Sequence, residues 1–172
     1  DWAKACYDTI TSADFVTSSA VEAQATTAPT FVNTFSGTPV EADKFSSRLD
    51  LTLAGYTGSD ALENLPVLVR LNAITAAGFD VTTLAADGSN FRFADAQGNN
   101  LPFEIDTWDT TSGRNVWVTV PYVEGATTKI YLYFGTTAAL AANDPTKTWT
   151  DAGYRDVMHF QTAKAEKGAY DS

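Results

Sequence analysis

Two neighbouring carboxylates are the first candidates for catalysis. Glu104 and Asp106 are two residues apart in the run Leu101–Asp109, so a regular strand would place them on one face, about 7 Å apart. Such a pair can serve as acid and base on a glycosidic bond. That chemistry requires differently tuned environments in a cleft. We therefore interpret the pair as a solvated outer face, paired across strands with Arg70 or Arg92.

The chain contains a single histidine, His159. A catalytic triad also needs a nucleophile and an orienting acid, and no G-x-S-x-G elbow or comparable motif occurs. One histidine is also too few for the multi-histidine zinc sites. We therefore predict that the chain is not an enzyme and that His159 lies on a strand or at a domain junction.

Several aspartates lie near turns that also contain Gly and Asn: Asp80, Asp87, Asp95, Asp106 and Asp109. Calcium takes about six to eight oxygen ligands, which carboxylate-rich loops can supply. The spacing matches no EF-hand or repeat motif, and turns need Asp, Asn and Gly for their own hydrogen bonds and for positive φ. We favour the turn role and predict no cofactor, with calcium as the alternative.

Aromatic side chains form the candidate ligand-binding set, which consists of Trp108, Trp117, Tyr131 and Tyr133, with Tyr122 nearby. Trp117, Tyr131 and Tyr133 alternate with aliphatic residues, so they would share the face opposite the core. An exposed stripe of rings would stack on sugars and bind a glycan. The alternative is that the N-terminal segment or a following domain covers the stripe, because large apolar patches usually have a partner.

The elements that must position these side chains are β-strands. Apolar residues alternate with others in the runs 49–53, 66–72, 91–95, 101–109, 115–123 and 128–135. A two-residue period between Gly, Asn and Asp clusters is typical of strands. We predict an all-β fold, an antiparallel β-sandwich of the jelly-roll or Greek-key kind with short helical turns. Short turns join the last three runs, which predicts one antiparallel meander.

The remaining segments have weaker patterns. Residues 1–44 form an N-terminal segment, which is a secretion-type leader, an interdomain linker, or a source of strands for a neighbouring sheet. Within it we predict a short helix at Ser19–Gln24 and a strand at Thr30–Phe35. Residues 45–148 form the sandwich, in which Ala73–Leu84 favours a short helix or turn. Residues 149–172, with a short strand at Asp156–Phe160, begin a following domain or form a C-terminal extension.

Length, charge and cysteine content exclude several classes of binding partner. The 172 residues suffice for one domain. A net charge of -10 argues against nucleic acid and against anionic lipid. No apolar run is long enough to cross a bilayer, so we expect no membrane insertion by this segment. Cys6 is the only cysteine and is free, paired outside this segment, or modified at a lipoprotein-like site that Lys4 disfavours.

Several blocks together resemble one bacterial family. They are PVLVRL (66–71), DGSNFRFADAQGNNLPFEIDTWD (87–109), VWVTVP (116–121) and TTKIYLYFG (127–135), followed by NDP and Trp149. From about Phe45 to Tyr154 the chain resembles the domain of unknown function DUF2341. The resemblance implies a β-sandwich of secreted or envelope proteins, often placed before a concanavalin-A-like, laminin-G-like lectin domain. Residues 149–172 resemble the opening of that domain, and the family has no established catalytic residues.

These observations lead to one functional expectation with two alternatives. We expect a non-catalytic module of a larger secreted or cell-envelope protein, located outside the cell, in the periplasm or at the cell surface. It would act in adhesion, glycan binding or spacing, with a neighbouring domain of the same polypeptide and a glycan as partners. The alternatives are a structural interaction module that positions a neighbouring domain or subunit, and an accessory domain of a carbohydrate-active enzyme.

Overall fold

The computed structural model describes residues 2–12, 14–23, 37–111, 113–150, 152–154 and 157. Helices and strands follow in this order: α1 (Trp2–Thr11), β1 (Thr17–Ala23), β2 (Ser47–Thr52), β3 (Leu62–Arg70), β4 (Arg92–Ala94), β5 (Asn100–Leu101), β6 (Phe103–Asp109), β7 (Gly113–Val123), β8 (Lys129–Phe134) and α2 (Lys147–Thr150). A short 3₁₀ helix at Val81–Thr83 confirms the helix or turn expected within Ala73–Leu84, and another at Leu71–Ala73 directly follows β3.

The strands form two antiparallel sheets. The five-stranded sheet has the order β1-β2-β8-β4-β5, and the three-stranded sheet has the order β3-β7-β6. Every pairing between these strands is antiparallel. The prediction of an all-β sandwich is confirmed.

The core consists of the inward faces of the two sheets. Alternate residues of the central strands are fully buried there, as the two-residue period requires. Examples are Leu49 and Leu51 of β2, Val67 and Val69 of β3, Val116, Val118 and Val120 of β7, and Ile130 and Leu132 of β8. Each such side chain contributes about 1.5–3 kcal/mol by leaving water, so this alternation holds the sheets together.

The predicted meander is wrong at its last strand. β7 pairs with β6 along one edge and with β3 along the other, so neither edge is left for β8. The connection at Gly125–Thr127 passes from one sheet to the other, and β8 pairs with β2 and β4 in the five-stranded sheet. A short loop indicates that two strands are close, but which strand pairs with β7 is decided by distant segments.

A bulge in β6 changes the face of the residues that follow it. Ile105 pairs with Val116 and Thr107 with Asn115, so Asp106 is an extra residue between them. One extra residue moves every later side chain to the other face. The assumption that Glu104 and Asp106 lie on one face of a regular strand therefore fails.

Residues 2–12 and 14–23, the described part of the N-terminal segment, belong to the sandwich. The helix expected at Ser19–Gln24 is wrong, because Thr17–Ala23 forms β1 and pairs with β2. The available edge of β2 overrides the local helix preference. α1 lies against β3, and Phe15, between α1 and β1, is 1% exposed.

Some predicted features lie outside the described residues. They are the strand at Thr30–Phe35, the strand at Asp156–Phe160 apart from Val157, and His159. The helices of the described residues include none with the length and hydrophobicity of a membrane span.

Candidate functional site

Trp108, a member of the candidate ligand-binding set, lies on the inner face of β6. The bulge at Asp106 turns its side chain inward, where the ring stacks on Phe91 with centroids 6.0 Å apart. The Arg114 guanidinium lies 5.7 Å from the Trp108 ring centroid. Trp108 is therefore half-buried against the main core.

Trp117 lies on the outer face of the three-stranded sheet beneath the chain's own C-terminal residues. Its ring centroid is 5.2 Å from that of Trp149, and the Tyr154 ring packs edge-on with Trp149, with centroids 5.6 Å apart. The Trp149 indole N–H donates to the Glu104 carboxylate, and the Thr119 hydroxyl donates to the Thr148 carbonyl. Trp117 is therefore covered by residues from another part of the chain and does not form part of an exposed aromatic stripe.

Tyr133 lies on the outer face of the five-stranded sheet, and residues preceding β2 cover it. Val40, Ala42 and Phe45 pack with Tyr133 and Ala94 in a second, smaller hydrophobic cluster. Tyr133 is 0% exposed, and burial raises the pKa of its hydroxyl, which nearby Arg48 partly offsets. Its ring is closed to a ligand.

Tyr131 lines an open groove on the surface. The groove has a volume of about 350 Å³ and is bordered by Tyr122, Glu124, Lys129 and Gln97. Tyr122 is 40% exposed, and Tyr131 is half-buried. We call this feature the tyrosine groove.

Charged residues of the five-stranded sheet fix the Tyr131 ring. Arg48 lies over one ring face, 4.7 Å from the centroid. Its guanidinium also bridges Glu22 at 2.5 Å and Asp50 at 3.3 Å. Burial works against the charge of Arg48, but Asp50 and Glu22 outweigh it and raise the pKa of Arg48. A fixed ring costs less entropy when it binds a ligand.

Sequence reasoning placed Tyr122 only near the aromatic set and missed the polar rim of the groove. Gln97 lies in the turn after β4, Glu124 follows β7, and Lys129 begins β8. These residues meet because the β7–β8 connection crosses between the sheets. The contact among Gln97, Glu124 and Lys129 joins distant parts of the chain. In the sequence, each looks like an ordinary polar residue near a turn, and such residues are too common to indicate a groove.

Glu104 lines a second, larger cavity of about 920 Å³ between β6 and residues 136–145. Asp106 is not among its lining residues. Arg70 and Arg92 do not pair with these acids as expected, since both donate to backbone carbonyls. The two carboxylates therefore do not converge on one cleft.

Asp80, Asp87 and Asp95 stabilise the turns in which they lie. Asp80 accepts from the Thr82 N–H at 2.9 Å, and Asp87 accepts from the Ser89 N–H at 2.9 Å. Hydrogen bonds from Thr82 and from Ser89 lower the pKa of Asp80 and Asp87, respectively. Asp95 accepts from the Gln97 and Asn99 N–H groups. In the described ranges, no three His, Cys, Asp or Glu side chains group as metal ligands would.

Cys6 is a free thiol on the face of α1 that meets the C-terminal residues. Burial raises the pKa of Cys6, which the hydrogen bond with Tyr154 partly offsets. Burial likewise raises the pKa of Tyr154 to about 12, with a further contribution from Cys6. The Trp2 and Tyr154 rings are 5.8 Å apart, so α1 and the residues after α2 meet on the outer face of the three-stranded sheet.

The chain matches one family model, over just under half of its length. No curated protein and no solved structure matches the chain. None of these comparisons matches a lectin-like domain in residues 149–172, where the opening of one was expected. Residues 87–168 match the family model described as "Domain of unknown function (DUF2341)", which runs from the turn before β4 past Trp149 and Tyr154.

Proposed function

We propose that the chain is a non-catalytic module of a larger secreted or cell-envelope protein and that it binds a glycan through the tyrosine groove. The observation that carries this proposal is the pair of tyrosines at an open groove with a polar rim. Tyr122 and Tyr131 offer ring surface, and Gln97, Glu124 and Lys129 offer hydrogen-bonding groups. A sugar presents the complementary surfaces, an apolar ring face and equatorial hydroxyls.

Two features favour binding without catalysis. Asp95 accepts hydrogen bonds from its own turn on both carboxylate oxygens, and Glu124 is exposed. Glycoside hydrolysis needs two carboxyl groups that flank one bond and are tuned apart. The groove is also small and open, which favours weak, reversible contact with a polymer.

The test measures affinity for a panel of soluble neutral, amino-sugar and acidic polysaccharides by affinity electrophoresis. Tyr122→Ala should weaken binding about 10-fold, because one stacked ring contributes about 1.4 kcal/mol. Tyr7→Ala is the matched control, since Tyr7 is a 64%-exposed tyrosine on α1. Absence of binding to every polysaccharide, or equal binding by wild type and Tyr122→Ala, would contradict the proposal.

A second candidate function is that of an interaction module that positions a neighbouring domain or subunit. α1 buries Ala5 and Thr9, yet on other faces Tyr7 and Ile10 are 64% and 48% exposed. These two are three residues apart and are neighbours on a helix surface, and exposed apolar patches often contact a partner. Sedimentation of the full-length parent protein with Tyr7→Ala and Ile10→Ala tests this candidate: loss of assembly favours it, and unchanged assembly refutes it.

A further inference from the structure

β6 is the edge strand of the three-stranded sheet, and a cavity runs beside it. The order β3-β7-β6 leaves one side of β6 without a strand partner in the part of the chain that is described. The cavity of about 920 Å³ is lined by Phe103, Glu104 and Ile105 on that strand and by residues 136–140 opposite. An uncovered strand edge is a template for pairing with another chain.

The backbone of Phe103 shows which way this edge points. The Thr119 N–H donates to the Pro102 carbonyl at 3.2 Å, so this carbonyl points toward β7. The Phe103 N–H and carbonyl instead bond the Asn143 side chain, at 3.3 Å and 2.6 Å. Backbone groups alternate in direction along a strand, so the Ile105 N–H and carbonyl point to the same side as those of Phe103.

Asn143 acts on this edge as a strand residue would. Its side-chain amide both accepts from and donates to one backbone position, as one peptide unit of a paired strand does. The next position, Ile105, faces the cavity without such a partner among the described residues. Ile105 and Leu140 are half-buried apolar side chains at the cavity wall.

We propose that this cavity is a strand-addition site that takes an extended peptide segment of another polypeptide chain. The segment pairs its backbone with β6 at Ile105, in line with Asn143, and presents an apolar side chain to Ile105 and Leu140. Main-chain hydrogen bonds then provide affinity, and alternate side chains provide selectivity. This surface is distinct from the tyrosine groove, so the two proposals succeed or fail separately.

The test titrates a capped pentapeptide of alternating valine and threonine into the isotope-labelled full chain and follows backbone amide signals. Saturable shifts at Phe103, Ile105 and Asn143 are expected. The same peptide with its central amides N-methylated keeps its side chains and loses donors, so it should bind at least about 10-fold more weakly. Equal binding of both peptides, or no saturable shift along β6, would overturn the proposal.

Variants at Ile105 provide an independent check. Ile105→Pro removes the donor, and proline is tolerated at an edge where the N–H faces away from the sheet. This variant should lose peptide binding, whereas the matched Ile105→Val control should keep it. Retained binding by a folded Ile105→Pro would refute the site. If Ile105→Pro does not fold, the comparison of the methylated and unmethylated peptides decides.

Discussion

Replacing Phe15 with alanine is expected to destabilise the whole sandwich. Phe15 lies in residues 1–44, which the sequence predicts to be an N-terminal segment or linker. The side chain is 1% exposed and packs in the main core. The Phe15 carbonyl also accepts from the Gly55 N–H at 2.9 Å, and a methyl group on Gly55 would collide with the Phe15 ring. The ring therefore fills a closely fitting site.

The magnitude follows from that fit. Phe→Ala in a core costs about 3–5 kcal/mol, depending on how far the site can collapse, and we expect about 3 kcal/mol for Phe15. For a domain of this size that lowers Tm by about 6–12 °C. Urea unfolding monitored by tryptophan fluorescence measures the change, and amide exchange should show the largest loss of protection in α1 and β1.

Ile10→Ala provides the control within the same segment. Ile10 is 48% exposed on α1, so its removal should change the unfolding free energy by less than about 0.5 kcal/mol. A Phe15→Ala variant within about 1 kcal/mol of wild type would refute the placement of Phe15 in the core, and with it the role of residues 2–12 and 14–23 in the fold.

Three further outcomes are expected. Gly88→Ala should cost about 2–4 kcal/mol in urea unfolding, because Gly88 has φ +71° and a Cβ would lie 2.9 Å from the Phe103 ring; a cost below about 0.5 kcal/mol would contradict that contact. Arg70→Met should cost about 1–3 kcal/mol and speed amide exchange in α1, because Arg70 donates to the carbonyls of Thr9 and Ile10; unchanged exchange would contradict this. The pKa of Tyr154 is raised from 10.0 to about 12, so the folded state favours the protonated phenol and stability should fall as pH rises across that interval. Tyr154→Phe should flatten that fall, and an identical pH profile would contradict it.

The strands were predictable because their alternation is local. Leu49 and Leu51, or Val116 and Val118, point the same way whatever the rest of the chain does. The pairing of strands was not predictable in this way. β8 joins the five-stranded sheet because β3, about 50 residues before β7, occupies the second edge of β7.

Which aromatic side chains reach the surface depends on the two-residue period of the strands, on the bulge that interrupts it, and on the segments that cover the sheets. Tyr131 points outward as its alternation predicts. Trp108 points inward, because one bulged residue at Asp106 reverses the faces, and no residue type in that stretch marks the bulge. Tyr133 also points outward as predicted, yet Val40 and Phe45 cover it, and such coverage depends on packing between segments that are distant along the chain.

Mapping glycan binding onto the backbone tests the central claim most directly. Backbone amide shifts are followed while the polysaccharide that binds best is titrated into the labelled chain. We expect saturable shifts confined to Gln97, Tyr122, Glu124 and Tyr131 around the tyrosine groove. Shifts centred on Trp117 and Trp149 instead, or none with any polysaccharide, would contradict it.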